Sequence, residues 1–334
     1  MENNKSILLS AVQPTGSLTI GNYLSVLSKW NTMQQEYNCI YCIADLHAIT
    51  VKNESKVLRK NIFDTLSLYL ACGVDPKKSI IFVQSHVYEH AQLNWILNCY
   101  SYFGELTRMT QFKSKFKNVN KNINVALFNY PILMASDILL YQTNHVLVGL
   151  DQKQHLELVI DIANRFNTIY GKKVFTIPSV LLSQQGSKIM SLLEPVKKMS
   201  KSNVNKNNSI FLLEKIDSIR KKIKKSVTDS EQPAKIYYNI EKKPGISNLL
   251  TIFSCITGKT IFELEKEFAG KLYGEFKESL FDALSTLILK IQRSYSLYRK
   301  DESYLEKIMI KGALQARKYA RRTLKNVYDV LGLR

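Results

Sequence analysis

The sequence predicts an α/β protein: a mostly parallel sheet with helices on both faces, followed by an all-helical region. Three observations predict it. Short apolar runs alternate with helical periodicities through the first half of the 334 residues. Strand-like runs cease beyond about Ser191, and long amphipathic stripes then continue to the C-terminus. Apolar runs without polar alternation suit strands covered on both faces, the usual situation in parallel sheets.

The first run is Ile7-Leu8-Leu9, and Gln13-Pro14-Thr15-Gly16 then breaks the chain. Proline fixes φ there and glycine accepts turn geometries that other residues resist. Tyr23, Val26, Leu27, Trp30, Met33 and Tyr37 recur every three or four residues, a helix for which Asn22 is the expected cap. A strand, a turn, a glycine and a helix start together aim backbone N–H groups and a positive dipole end at an anion. Gly21 has no side chain to keep such a ligand off the main chain. The same arrangement also occurs in α/β folds with nothing bound.

Cys39–Ala44 and Ser79–Val83 are the next expected strands, and Val146-Leu147-Val148-Gly149 runs into Asp151 as another. Between them, helices are expected on Val57, Leu58, Ile62, Leu66 and Leu70, on Leu93, Ile96, Tyr100 and Phe103, and from Val125 to Tyr141. A further helix carries Leu156, Val159, Ala163, Phe166 and Tyr170. In sheets of this kind ligands bind beyond the carboxyl ends of the strands. The residues after Val12, Ala44 and Val148 fall there. In the second half, helices are expected over 276–298 and from Leu305 to Leu331.

Forty-seven Lys and Arg against 28 Asp and Glu leave a formal net charge of +19, which suits a polyanionic partner such as a nucleic acid or a membrane surface. Arg220-Lys221-Lys222-Ile223-Lys224-Lys225 concentrates this charge on an amphipathic helix, although a solvated face is the commoner meaning of such a run. No secretory signal pattern opens the chain and no apolar run is long enough to span a bilayer, so a cytoplasmic protein with no membrane association is expected. Cys39 and Cys42 form a lone C-x-x-C inside an apolar run and are expected as core thiols. His86 and His90 are spaced i, i+4 but lack the embedded glutamate of zinc hydrolases, so no protein-held metal is expected.

Lys197-Lys198-Met199-Ser200-Lys201-Ser202 opens a polar run expected to be an exposed, mobile loop. Its last five residues match letter for letter the KMSKS loop of class I aminoacyl-tRNA synthetases. Pro14 to Asn22 is similar to the other motif of that class, HIGH, in its T-I-G-N variant. Four further blocks narrow the resemblance: Asp45–Thr50, Arg108–Phe112, Ala135–Leu139, and Gly149-Leu150-Asp151-Gln152-Lys153-Gln154-His155. Together the chain resembles the bacterial tryptophanyl-tRNA synthetases nearly end to end.

The resemblance implies a Rossmann-like nucleotide-binding domain over residues 1–190, with the last helix, about 303–334, packing back on it. It implies that residues 191–302 hold the KMSKS loop and an all-helical anticodon-recognition domain. The implied reaction is activation of L-tryptophan by ATP, with Mg²⁺, and transfer to tRNA(Trp) by a homodimer. Such a reaction needs no enzyme nucleophile; it needs two anions aligned and growing charge stabilised. Lys198, Lys201 and, by family position, Lys115 are the implied catalytic cations. ATP contacts fall by resemblance on Gln13, Pro14, Thr15, Gly21, Asn22, Gly149, Leu150, Asp151, Ile189, Lys198, Met199, Ser200, Lys201 and Ser202. For tryptophan the sequence itself offers Asp137, a carboxylate in an otherwise apolar helix with Met134 on the same face, as acceptor for the indole N–H. The resemblance adds Tyr130 and Gln152 near the α-amino group, with His47, Gln13 and Leu9 beside the pocket.

Several positions depart from the family pattern: Leu9, Ala11, Leu46, Leu150 and Asn203. Leu150 stands where an acid is usual, which leaves only a backbone role open there. The alternatives are a tyrosyl-tRNA synthetase, a nucleotidyltransferase of similar fold and a non-catalytic tRNA-binding paralogue. The Met134/Asp137 block favours tryptophan. Both loop lysines, which a non-catalytic paralogue has no need to keep, are present.

Overall fold

The computed structural model describes residues 5–16, 18–52, 54–111, 124–149, 152–182, 188–200 and 203–333. The chain divides into two compact units. The first comprises Met1–Thr15, Asn31–Leu182 and Tyr298–Arg334; the second comprises Gly16–Trp30 and Ser183–Leu297.

Five parallel strands form the sheet of the first unit: β1 (Ile7–Val12), β2 (Asn38–Ile43), β3 (Ile80–Val83), β4 (His145–Val148) and β5 (Ser179–Leu182). Their spatial order is β3-β2-β1-β4-β5. The chain builds outward from β1 to β3, then returns to the other side of β1 for β4 and β5. The direction therefore reverses between β1 and β4, the switch point beside which such sheets hold ligands. Register is fixed by Leu8 opposite Cys39 on one side and His145 on the other. β2 and β3 are buried along their whole lengths, as their uninterrupted apolar runs require. Cys39 and Cys42 are free, buried thiols within β2, and burial pushes the Cys39 thiol up to about 11.

The helices of this unit bury the stripes expected of them. Helix Val125–Leu139 follows an Asn124 cap and contributes Ile132, Ala135, Ile138 and Leu139 to the core around Phe82, Leu156, Val159 and Phe166. The long helix Glu302–Leu331 lines its inner face with Gly312, Ala313, Ala316 and Ala320. Those small residues permit close approach to β3: a Cβ on Gly312 would lie 1.7 Å from the Ile81 carbonyl oxygen.

In the second unit the helices Ile216–Lys225, Pro244–Thr257 and Ile261–Glu267 pack with the greater part of helix Tyr273–Arg299. Phe253, Phe268 and Phe276 form an aromatic cluster with centroids 5.1 to 5.9 Å apart. The basic helix Ile216–Lys225 buries Ile219 and Ile223 beneath its charges. Part of its charge is balanced: Lys222 is buried against Glu214, and Arg220 and Lys224 face Glu278. Lys221 and Lys225 are exposed.

Candidate active site

In the first unit the carboxyl ends of β1 and β4 lie at the switch point. Gln13 is exposed just past β1, Pro14 is buried behind it, and the Thr15 N–H closes a tight turn on the Gln13 carbonyl at 2.8 Å. Gly149 follows β4, and its carbonyl accepts the Gln152 N–H at 2.9 Å. Gln152 precedes helix Lys153–Tyr170. Leu150 and Asp151, between them, lie outside the described residues, as does Lys115.

Asp137 is 3% exposed and accepts from three side chains among the described residues. Gln84 Nε2 and His90 Nδ1 both donate to its Oδ1 at 2.7 Å, and His47 Nε2 donates to Oδ2 at 2.8 Å. Each donor comes from a different element. His47 sits in the helical turn Asp45–Ala48 after β2, Gln84 in the turn after β3, and His90 at the start of helix Glu89–Asn98. Gln84 also ties two of these together, since its Oε1 accepts the Leu46 N–H at 3.1 Å. Burial alone would push the Asp137 carboxyl up, but hydrogen bonds from His47 and His90, with their charge interaction, hold it well below the usual carboxylate range. An ionised, acceptor-only group therefore stands in the core at pH 7.

Met134 and Tyr130 lie one and two turns earlier on the same helix. The Tyr130 ring meets the His47 ring edge-on with centroids 6.3 Å apart, and its hydroxyl lies 2.8 Å from His155 Nε2. Leu9 is buried in the core against which Met134 packs. The structure thus gathers Asp137, His47 and Tyr130 around one buried charge. Gln84, His90 and Tyr141 belong to the same network, and no sequence motif marks them for it. The i, i+4 spacing of His86 and His90 is misleading: they fall on different elements, His86 exposed and His90 fully buried. A histidine on the apolar face of a helix is the available signal.

In the second unit the T-I-G-N segment forms the first turn of a helix that passes through a π-helical stretch, Tyr23–Leu27. The cap is Thr19, which corrects the expectation of Asn22. Thr19 and Asn22 hold one another: the Thr19 N–H donates to Asn22 Oδ1 at 3.0 Å, and the Asn22 N–H donates to Thr19 Oγ1 at 3.3 Å. This reciprocal capping fixes the turn on which Gly21 sits.

The lysine-rich segment lies beside that turn. Met199 N–H donates to the Ile189 carbonyl at 2.9 Å, and the Ser191 N–H donates to the Lys197 carbonyl at 2.8 Å. Ser209 Oγ donates to the Ser200 carbonyl at 2.9 Å. Lys198 and Ser200 are exposed while Met199 is buried, so the segment is tethered through its methionine and displays its polar groups. A Cβ on Gly21 would lie 3.5 Å from Ile189 Cβ and 3.7 Å from Met199 Sδ. Lys201 and Ser202 lie outside the described residues.

A family model described as tRNA synthetases class I (W and Y) matches residues 1–288. The chain is 61% identical over 334 residues to the tryptophan–tRNA ligase of Buchnera aphidicola subsp. Schizaphis graminum, covering 99% of each. It is similar in structure to a tryptophanyl-tRNA synthetase from Mycoplasma pneumoniae, with a TM-score of 0.92 and 36% identity over 98% of both chains. A tryptophanyl-tRNA synthetase from Campylobacter jejuni, complexed with ADP and tryptophan, matches with a TM-score of 0.82 and 30% identity over 98% of this chain and 99% of that one. With this sheet order, the T-I-G-N turn and these relatives, the chain belongs to the class I tRNA synthetases of the W and Y family.

Proposed function

We propose that the protein is a tryptophan–tRNA ligase. It joins the carboxylate of L-tryptophan to the α-phosphorus of ATP, releases pyrophosphate, and transfers tryptophan from the adenylate to its tRNA. The meeting of Gly21 with Ile189 and Met199 carries this assignment. It sets a side-chain-free helix start beside a segment that displays cations, two features separated by nearly the whole sheet domain in sequence. The tyrosyl alternative is not favoured, because relatives at 61% and 62% identity are named for tryptophan.

The substrate carboxylate is already a nucleophile, so the protein's task is alignment and charge stabilisation. Lys198 and Lys201 act on the phosphate charge that grows as pyrophosphate leaves, with Lys115 as a third cation. Ile189, Met199, Ser200, Ser202, Gly21 and Asn22 are the nucleotide contacts assigned to the second unit. Gln13, Pro14, Thr15, Gly149, Leu150 and Asp151 are those assigned to the first. ATP is taken with Mg²⁺ held by phosphate oxygens and water, a mode that asks for no protein cage. Tryptophan is held by Asp137 at the indole N–H, with Met134 and Leu9 as walls. Tyr130 and Gln152 are assigned to its α-amino group, and His47 and Gln13 to the side of the pocket.

Residues 1–190 and the last helix, about 303–334, are assigned to activation, and residues 191–302 to the KMSKS loop and anticodon recognition. A second copy of the chain is the proposed partner of an apolar surface on the first unit. Trp95, Phe103 and Val125 are 75%, 74% and 79% exposed, on helices Glu89–Asn98 and Phe103–Thr107 and on helix Val125–Leu139, against which the first two pack. The enzyme acts in the cytoplasm; no single helix among the described residues is long and apolar enough to cross a membrane.

Lys198→Ala and Lys201→Ala test the mechanism in tryptophan-dependent ATP–pyrophosphate exchange. Loss of a cation matched to transition-state charge lowers kcat by about 10²-fold or more and leaves the KM for tryptophan nearly unchanged. A raised KM for tryptophan with kcat intact would remove the loop from catalysis.

A further inference from the structure

We infer that His90, held by Tyr141, is a positioning residue that sets selection for the indole N–H by leaving Asp137 one open acceptor position. The inference rests on the assignment of Asp137 to the indole.

A carboxylate has about four lone-pair positions, two on each oxygen. Gln84 Nε2 and His90 Nδ1 occupy both positions on Oδ1, and His47 Nε2 occupies one on Oδ2. Among the described residues one position remains, on Oδ2, the oxygen that His47 holds. An ionised carboxylate only accepts, so His90 Nδ1 carries its proton toward Asp137. The other ring nitrogen, Nε2, shares a hydrogen bond of 2.7 Å with the Tyr141 hydroxyl. His90 and Tyr141 are both fully buried, and the His90 ring is stacked against Phe82 with centroids 5.7 Å apart. The ring cannot turn without breaking both hydrogen bonds.

This arrangement does more than fill a core. Three donors pin both carboxylate oxygens and keep the group ionised, so it cannot offer a proton to a ligand. A ligand ring with an N–H satisfies the last position; an isosteric ring without one leaves a buried anion short of a donor, which is strongly disfavoured. Without the His90 donor, Oδ1 has a vacancy. The carboxyl group is then free to rotate or to take up a proton, and the penalty against the wrong ring shrinks.

Pyrophosphate exchange with tryptophan and with its benzothiophene isostere, in which sulfur replaces the indole N–H, tests this. The wild-type protein prefers tryptophan by about 10²-fold or more in kcat/KM. His90→Leu narrows that ratio by about tenfold while the KM for ATP stays within about threefold, the size expected when one hydrogen bond to a charged group is removed. His90→Asn, whose amide nitrogen sits where Nδ1 does, restores most of the ratio. Should His90→Leu fail to fold, Tyr141→Phe removes only the hydroxyl that fixes the ring and narrows the ratio by about threefold. A folded variant with slower exchange and the wild-type ratio would make His90 structural and overturn the inference alone. Wild-type protein that exchanged no label with tryptophan would overturn the assignment beneath it as well.

Discussion

At the scale of the residue, Asp137 is the position to which amino-acid selection is assigned by the proposed function. Its identity as a polar group in an apolar helix was legible in the sequence, since a carboxylate among Ile132, Ala135, Ile138 and Leu139 needs a partner when buried. Which partners was not legible. Gln84 and His90 lie 53 and 47 positions away, and the packing of helix Glu89–Asn98 against helix Val125–Leu139 brings that part of the chain to Asp137. Asp137→Asn keeps the volume and removes the charge, and one amide N–H must now face a donor. Tryptophan activation is expected to fall by about 10²-fold or more in kcat/KM, with the KM for ATP nearly unchanged and preference over phenylalanine reduced. Exchange kinetics with both amino acids check this; an unchanged preference would return selection to pocket shape. The same carboxyl also contributes stability. Its folded pKa is depressed, so that contribution is fully present above the unfolded value of about 4 and is lost as pH falls through the lower folded value. The acid limb of the stability curve is therefore less steep in Asp137→Asn.

At the scale of the element, the T-I-G-N turn and the segment around Met199 show what local pattern reveals and what it hides. Apolar spacing predicts the helix through Trp30, but not its π-helical stretch or its true cap. Thr19 and Asn22 are both good capping residues, and their reciprocal bonds decide the matter by geometry. Composition alone makes the lysine-rich segment an exposed, mobile loop. A single buried methionine and the backbone bonds to Ile189 and Ser191 tether it, and these depend on the fold rather than on composition. Gly21→Ala separates ligand approach from folding. Its new Cβ meets Ile189, Thr19 and Met199 at 3.5 Å or more, ordinary van der Waals distances, and Gly21 has no positive φ. Stability is therefore expected to stay within about 1 kcal/mol of wild type or to rise slightly, as for other helical glycines replaced by alanine. The KM for ATP is expected to rise about tenfold, because the methyl occupies the space assigned to the nucleotide. Thermal melting and exchange kinetics measure the two effects, and an unchanged KM for ATP would mean that no nucleotide approaches this turn.

At the scale of the whole molecule, the alternation of apolar runs and helical stripes was enough to foretell a parallel sheet, because strands buried on both faces have little room for polar residues. Strand order was not readable, since it is set by crossover connections and not by composition. The net charge of +19 suits a tRNA substrate, but the fold shows that a basic run is not all available. Lys222 is spent on Glu214 in the core, whereas Lys221 and Lys225 are exposed. Lys221→Glu with Lys225→Glu is expected to weaken tRNA binding and to flatten its salt dependence by about one logarithmic unit for each phosphate that is no longer neutralised. Binding titrations at several salt concentrations check it, and an unchanged slope would take this helix out of the tRNA footprint. The central claim is activation of one amino acid, and the direct test is ATP–pyrophosphate exchange by the purified chain with each of the twenty amino acids in turn. Exchange with tryptophan, far above that with tyrosine or phenylalanine, is the predicted result; exchange led by tyrosine, or none with any amino acid, would contradict it.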